Sequence, residues 1–160
     1  MSCSIVTVDR QLTAVVKAKV PFPEIPRAQR SARAAIDAAL PSLDAGPLGR
    51  PLTRFRTPAK DALDMEIGTI VSRGFAGRGE VVPSDLPAGR AAHFQLEGPF
   101  DGMPGAWQTL FEWCKAEKLE LAGINWEIYM PWEGVDPARL ETDLYALLAR
   151  SCLPDRRRLS

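Results

Sequence analysis

Pro26 to Leu40, PRAQRSARAAIDAAL, is where the apolar pattern of the chain changes period, and that change decides the class of fold. Ala28, Ala32, Ala35, Ile36 and Ala39 recur at helical spacing, while Arg27, Arg30, Arg33 and Asp37 fall where they can face water. Alanine is the strongest helix former, Pro26 suits a first turn, and Pro41 stops the run. The spacing predicts a helix over Arg27–Leu40, with side chains small enough to sit close to a sheet. Before it, Ile5 to Val20 alternates around Val6, Val8 and Leu12 and again at Val16, Ala18 and Val20, ending at Pro21-Phe22-Pro23. One or two strands are expected there. After it, a turn-rich passage from Pro41 to Pro51 leads to strands at Leu52–Thr57 and Ala62–Ser72. In the latter, Leu63, Met65, Ile67, Thr69 and Val71 alternate with Asp64, Glu66 and Gly68.

Gly74 to Gly89 is the best internal boundary, since Gly77, Gly79, Pro83, Pro87 and Gly89 oppose a continuous element, with Val81 and Val82 as a short edge. Beyond it the order repeats. Ala91–Leu96 reads as a strand, and Trp107, Leu110, Phe111 and Cys114 recur at helix spacing within Pro104–Glu117. Gly123 and Asn125 then introduce a strand centred on Glu127. The last apolar segment fits a helix through Leu140, Leu144, Leu147 and Leu148, or a strand through Thr142, Leu144, Ala146 and Leu148. A strand over Glu141–Leu148 is preferred because Leu63 to Val71 holds the matching place in the first half. Laying Thr57-Pro58 over Met130-Pro131 sets Arg54-Phe55-Arg56 against Glu127-Ile128-Tyr129. The fold expected is α+β, with two β-α-β-β modules at about 5–72 and 86–148 forming a pseudo-symmetric single domain with antiparallel sheet, and a C-terminal tail at 149–160.

Composition narrows the function. The chain has 160 residues, 46% hydrophobic and 25% charged, which suits one folded domain and not a disordered segment. Its 20 basic and 20 acidic side chains cancel, so no global field gathers a polyanion, and direct nucleic-acid binding is disfavoured. Arg156-Arg157-Arg158 reads first as a solvated tail and second as a phosphate contact. Cys3, Cys114 and Cys152 are dispersed, and His93 is the only histidine, so neither a metal site nor a Ser-His-Asp triad is read, and no cofactor is implied. Cys114 falls on an apolar helix face and reads as a core residue. No leader-like segment or long apolar span stands out, so no membrane partner is expected and a cytoplasmic setting is the default reading.

The chemistry concentrates at Trp126-Glu127-Ile128-Tyr129, extended by Trp132. A carboxylate among aromatic rings suits a pocket for a flat apolar molecule, particularly a cation, because ring faces and carboxylate both favour positive charge. Together with Leu86-Pro87-Ala88-Gly89-Arg90-Ala91-Ala92, Glu97-Gly98-Pro99-Phe100 and the Trp107 helix, this stretch resembles the GyrI-like small-molecule-binding domain, over roughly Val6 to Leu148. The superfamily includes effector-binding domains of multidrug-responsive regulators, gyrase-inhibitory proteins and standalone drug-binding proteins. The resemblance implies a central ligand cleft between paired modules, with Glu127 as the family's strand glutamate and Tyr129 as its nearby tyrosine. Phe100 stands where many relatives carry a tyrosine, so a polar handle is missing there. No helix-turn-helix pattern precedes Ile5.

Each candidate has a plainer alternative. Trp126, Ile128 and Met130 point one way on a strand and Glu127 and Tyr129 the other. The favoured arrangement packs Ile128 against the helices and turns Glu127 and Tyr129 into the cleft; the alternative is a carboxylate exposed beside a core strand. Trp107 divides between pocket lining and core, Trp132 between a cover for a planar ligand and a turn aromatic, and Phe55 between an aromatic wall and core packing beside its equivalent Ile128. Trp113 reads as a helix anchor, whereas Arg54 and Arg56 are candidates for an anionic group. The leading function is reversible binding of amphipathic aromatic or cationic small molecules, in drug sensing or sequestration. The alternatives are hydrolysis of reactive DNA-alkylating natural products, with Glu127 activating water and Tyr129 assisting, and inhibition of a protein partner through a surface.

Overall fold

Residues 2–57 and 61–149 are described by the structure, a computed structural model. Pro58, Arg150 and the expected tail beyond it, with Cys152 and Arg156-Arg157-Arg158, lie outside the described residues. The elements run β1 (Ser4–Val8), β2 (Gln11–Pro21), α1 (Ile25–Ala39), β3 (Leu48–Arg56), β4 (Ala62–Val71), β5 (Val81–Leu86), β6 (Gly89–Glu97), α2 (Met103–Ala116), β7 (Leu121–Tyr129) and β8 (Glu141–Leu148). Pro26 and Pro104 occupy first turns of the helices, where a missing N–H costs nothing. The ambiguous last segment is a strand, because Phe94 and Leu96 of β6 and the residues of β7 offer it a partner on each side.

All eight strands form one antiparallel sheet in the order β1-β6-β8-β7-β3-β4-β2-β5. That order is symmetric about the β7–β3 pair, as expected for a duplicated unit, so the fold is α+β with pseudo-symmetric modules. Each half also carries a first strand, β1 or β5, that pairs with the other half. The short edge read at Val81-Val82 is thus a full strand and the counterpart of β1.

The connections force the sheet to curl. Asp9-Arg10 alone join β1 to β2, which stand six strand positions apart. On a flat sheet that separation is roughly 29 Å, while two linking residues reach only about 11 Å. The face away from the helices therefore closes on itself. Leu52, Leu86, Ala91, Trp126 and Ile128 fill it, with Trp126 only 2% exposed although no helix covers it. Arg54 of β3 reaches across the same closure to Asp85 of β5, donating to its carbonyl at 2.6 Å and its carboxylate at 3.1 Å. Gly68 permits the bend, since a Cβ there would lie 1.8 Å from the Ala14 carbonyl oxygen.

The other face carries both helices. Ala32 and Ile36 of α1 and Ala106, Trp107, Leu110 and Cys114 of α2 pack there on Phe55, Met65, Ile67, Phe94 and Leu144. Two expectations are corrected here. Ile128 packs in the closed face and not against the helices, and Phe55 is on the helical face and is not its equivalent. The alignment was one residue out of step, and a one-residue slip turns every side chain of a strand over. Among the described residues no helix is long and apolar enough to cross a membrane.

Candidate functional site

The central strands β3 and β7 pair with Thr53 opposite Glu127. Alternation turns Thr53, Phe55, Glu127 and Tyr129 to the helical face, where α1 and α2 stand apart and leave a cleft of about 1100 Å³. Gln29 and Arg33 line it from α1, Met103, Trp107 and Phe111 from α2, Leu63 and Met65 from β4, and Phe22, Phe100 and Trp132 from the connections. Trp107 meets Phe55 edge to face at 5.0 Å and stacks on Phe111 at 5.3 Å. Towards the rim, Phe100 sits edge to face on Tyr129 at 5.7 Å and on Trp132 at 6.1 Å. A volume of this size holds a drug-sized molecule, and the lining is mostly apolar with few polar groups.

Those polar groups form one directed network. Trp107 Nε1 donates to Glu127 Oε2 at 2.6 Å, and the Tyr129 hydroxyl donates to Glu127 Oε1 at 2.5 Å. Tyr129 Oη and Thr53 Oγ1 are 2.8 Å apart. A phenol has one proton, and the short contact with the carboxylate claims it, so the Thr53 hydroxyl donates to Tyr129. Thr53 Oγ1 accepts in turn from Gln29 Nε2 at 3.0 Å and Arg33 Nη2 at 3.3 Å. Every donor points towards Glu127, an arrangement that polarises in favour of an anionic carboxylate. Burial works against it and raises the Glu127 carboxyl above its ordinary range, opposed by the bonds from Tyr129 and Trp107 and by Arg33. Burial, reinforced by the charge of Glu127 and the bond to it, holds the Tyr129 phenol well above its usual value. It therefore acts as a donor and not as a phenolate.

Glu127, Tyr129, Trp107, Trp132, Phe55 and Phe100, all selected from the sequence, line this one cleft. Trp107 and Phe55 are at once lining and core, so the alternatives posed for them were not exclusive. Phe100 is 40% exposed at the rim, and Trp113 is half-buried against the core and does not line the cleft. Arg54 is committed to Asp85 on the opposite face and Arg56 is exposed, so neither supplies an anion site in the cleft. Arg33, expected to face water, turns inwards and donates to the carbonyls of Gly68 at 2.6 Å and Leu52 at 2.9 Å. Sequence reasoning missed Arg33, Gln29 and Thr53. The only trace was that Gln29 and Arg33 stand four residues apart, on one helix face. Among the described residues no three His, Cys, Asp or Glu side chains group in a way that could hold a metal ion.

An α+β sheet with two helices thus flanks an aromatic cleft with room for a small molecule. Residues 1–149 match the model of the GyrI-like small molecule binding domain, and the chain belongs to that family. No curated protein sequence matches the chain. Solved structures share its fold at low identity. An EcmrR–DNA complex in EcmrR-RPo, determined by cryo-EM, has a TM-score of 0.81 at 15% identity over 94% of this chain, which spans 58% of that protein chain. SAV2435 bound to tetraphenylphosphonium gives 0.70 at 12% identity, covering 93% of this chain and 94% of that one. A hydrolase encoded by lin2189 from Listeria innocua gives 0.59 at 12% identity, covering 92% and 91%.

Proposed function

We propose that the cleft reversibly binds flat, amphipathic aromatic molecules, and that Glu127 recognises a positively charged or hydrogen-bond-donating group on them. The observation that carries this reading is a carboxylate at the floor of an aromatic cleft, supported by Trp107 and Tyr129 from within the protein. Apolar burial favours ring systems of varied shape at about 25 cal/mol per Å². Contacts of a cation with ring faces add about 0.5–2 kcal/mol each. The first term tolerates variety and the second favours charge, which together give broad selectivity suited to sensing or sequestering toxic compounds. A related fold bound to tetraphenylphosphonium, a bulky aromatic cation, supports an aromatic cation as ligand.

A second reading is hydrolysis of a reactive DNA-alkylating natural product. A fold relative described as a hydrolase supports it, together with a carboxyl group raised by burial in an apolar cleft. Glu127 would take a proton from water, with Tyr129 as the neighbouring donor, a role that needs a carboxylate tuned towards neutral pH.

A screen of aromatic compounds, with mass analysis of each molecule recovered from the protein, separates the two. Unchanged ligands are expected, and conversion of a bound compound would move the second reading to the front. In calorimetry, Glu127→Gln is expected to weaken a cationic ligand more than a neutral one of similar shape. Equal losses would remove the electrostatic part of the proposal. Loss of turnover with near-unchanged binding in the same variant would instead point to water activation.

A further inference from the structure

Arg33 is the unexplained charge of the cleft. Its guanidinium stands 5.5 Å from the ring centroid of Tyr129 and 5.6 Å from that of Trp132, covering the aromatic faces a ligand cation would seek. It is clamped there. Gly68 and Leu52 carbonyls accept from its two terminal nitrogens, and displacing it would strip both of a charged donor. Among the described residues no carboxylate lies within ion-pair distance of Arg33, and its Nε–H has no protein acceptor. Glu127 likewise has hydrogen-bond donors but no cation in contact. Two opposite charges thus face one cleft without touching. At the rim, Arg30 and Asp37 add one charge of each sign, so the lining is neutral as a whole.

We propose that Arg33 is the specificity-determining residue of the cleft, which selects aromatic molecules bearing both a donor or cation for Glu127 and an acceptor or anion for Arg33, over simple monocations. This rests on the reading of the cleft as a ligand site. A monocation gains from Glu127 but is repelled by a guanidinium that cannot move aside. A dipolar ligand satisfies both groups and completes the ion pair that the protein leaves open. Burial draws Arg33 below its ordinary value, opposed by Tyr129, Glu127 and Asp37.

The xanthene dyes rhodamine 6G and rhodamine 19 share one ring system. The first is a monocationic ethyl ester and the second the corresponding free acid, zwitterionic at pH 8. Fluorescence anisotropy titration of the wild-type protein is expected to show the acid bound more tightly, by about tenfold, as one unit charge at roughly 10 Å contributes in a partly desolvated site. Arg33→Met should abolish that advantage. Glu127→Gln, which keeps Arg33, should weaken both dyes while the acid stays ahead. Wild-type protein that binds the ester as tightly as the acid overturns the inference, even if Arg33→Met does not fold. So does an acid advantage that survives in folded Arg33→Met. If neither dye binds the wild type at all, the reading of the cleft falls, and this inference with it.

Discussion

Replacing Tyr129 by phenylalanine removes one oxygen and tests the network on which the site is built. The ring can stay in place against Phe100 and Trp132. The lost bond, 2.5 Å to Glu127 Oε1, is charge-assisted, a kind that contributes about 1.5–3 kcal/mol. Thr53 loses its acceptor as well. A net loss of roughly 2–3 kcal/mol at pH 8 should lower the melting temperature by about 4–12 °C in a chain of this size. The pH dependence is the sharper readout. Tyr129 donates to the charged form of Glu127, so its removal raises the folded-state pKa of that carboxyl further, by about one unit for each 1.4 kcal/mol. The stability gap between wild type and variant is then full above the variant's raised pKa. It narrows as pH falls from there to the wild-type value, and is smallest below both, where Glu127 is protonated in either protein. Chemical unfolding across that range, with carbon NMR titration of the Glu127 carboxyl, measures both quantities. A gap that does not change with pH, or a Glu127 carboxyl that titrates alike in both proteins, would refute the reasoning.

Trp107→Phe keeps a ring against Phe55 and Phe111 but deletes the Nε1–H donor to Glu127; about 2 kcal/mol of stability should be lost at neutral pH, and wild-type unfolding midpoints would show that the 2.6 Å bond contributes nothing. Gly68→Ala places a Cβ 1.8 Å from the Ala14 carbonyl oxygen, a backbone atom, so the sheet must shift; a loss of about 3 kcal/mol or more is expected in urea unfolding, and near-normal stability would mean that the curl is easily relaxed. His93, first, and Arg50 hold the Asp143 carboxyl below its ordinary 3.8. The stabilisation is therefore present above that value and lost as pH falls through the depressed one, so Asp143→Asn should be destabilised at pH 7 and approach wild type in acid, as acid-unfolding curves would show. Because burial raises the Glu127 carboxyl and a bound cation favours its ionised form, affinity for a cationic aromatic should climb as pH rises through that raised pKa; calorimetry in buffers of different ionisation enthalpy should detect proton release, and its absence would mean that Glu127 is already ionised in the free protein.

Periodicity located most of the elements. Alternation in Ala62–Val71 and helical spacing after Pro26 and Pro104 follow from local backbone geometry, whereas Glu141–Leu148 fitted either period and was read as a strand from the duplicated order, which also implied a symmetric α+β fold. The carboxylate among aromatic residues at Trp126-Glu127-Ile128-Tyr129 was equally local, which is why Glu127 and Tyr129 stood out in the bare sequence. Which face those side chains share with the helices was not local. Strand alternation states that Ile128 and Glu127 diverge, but not which of them meets α1 and α2. Only the curl imposed by the two-residue link between β1 and β2, closing the sheet over Leu52, Trp126 and Ile128, decided that. The inward turn of Arg33 belongs to the same level. A helix position with polar neighbours looks solvent-facing in sequence, and only the approach of α1 to the carbonyls of Leu52 and Gly68 turns it into a fixed charge. Thr53 and Tyr129 are 76 positions apart and become hydrogen-bonding neighbours solely because β3 and β7 pair at the centre of the sheet. Sequence determined which chemical groups the protein possesses on each element. Tertiary structure decided which of them face one another, because that depends on strand pairing and closure between residues with no local coupling.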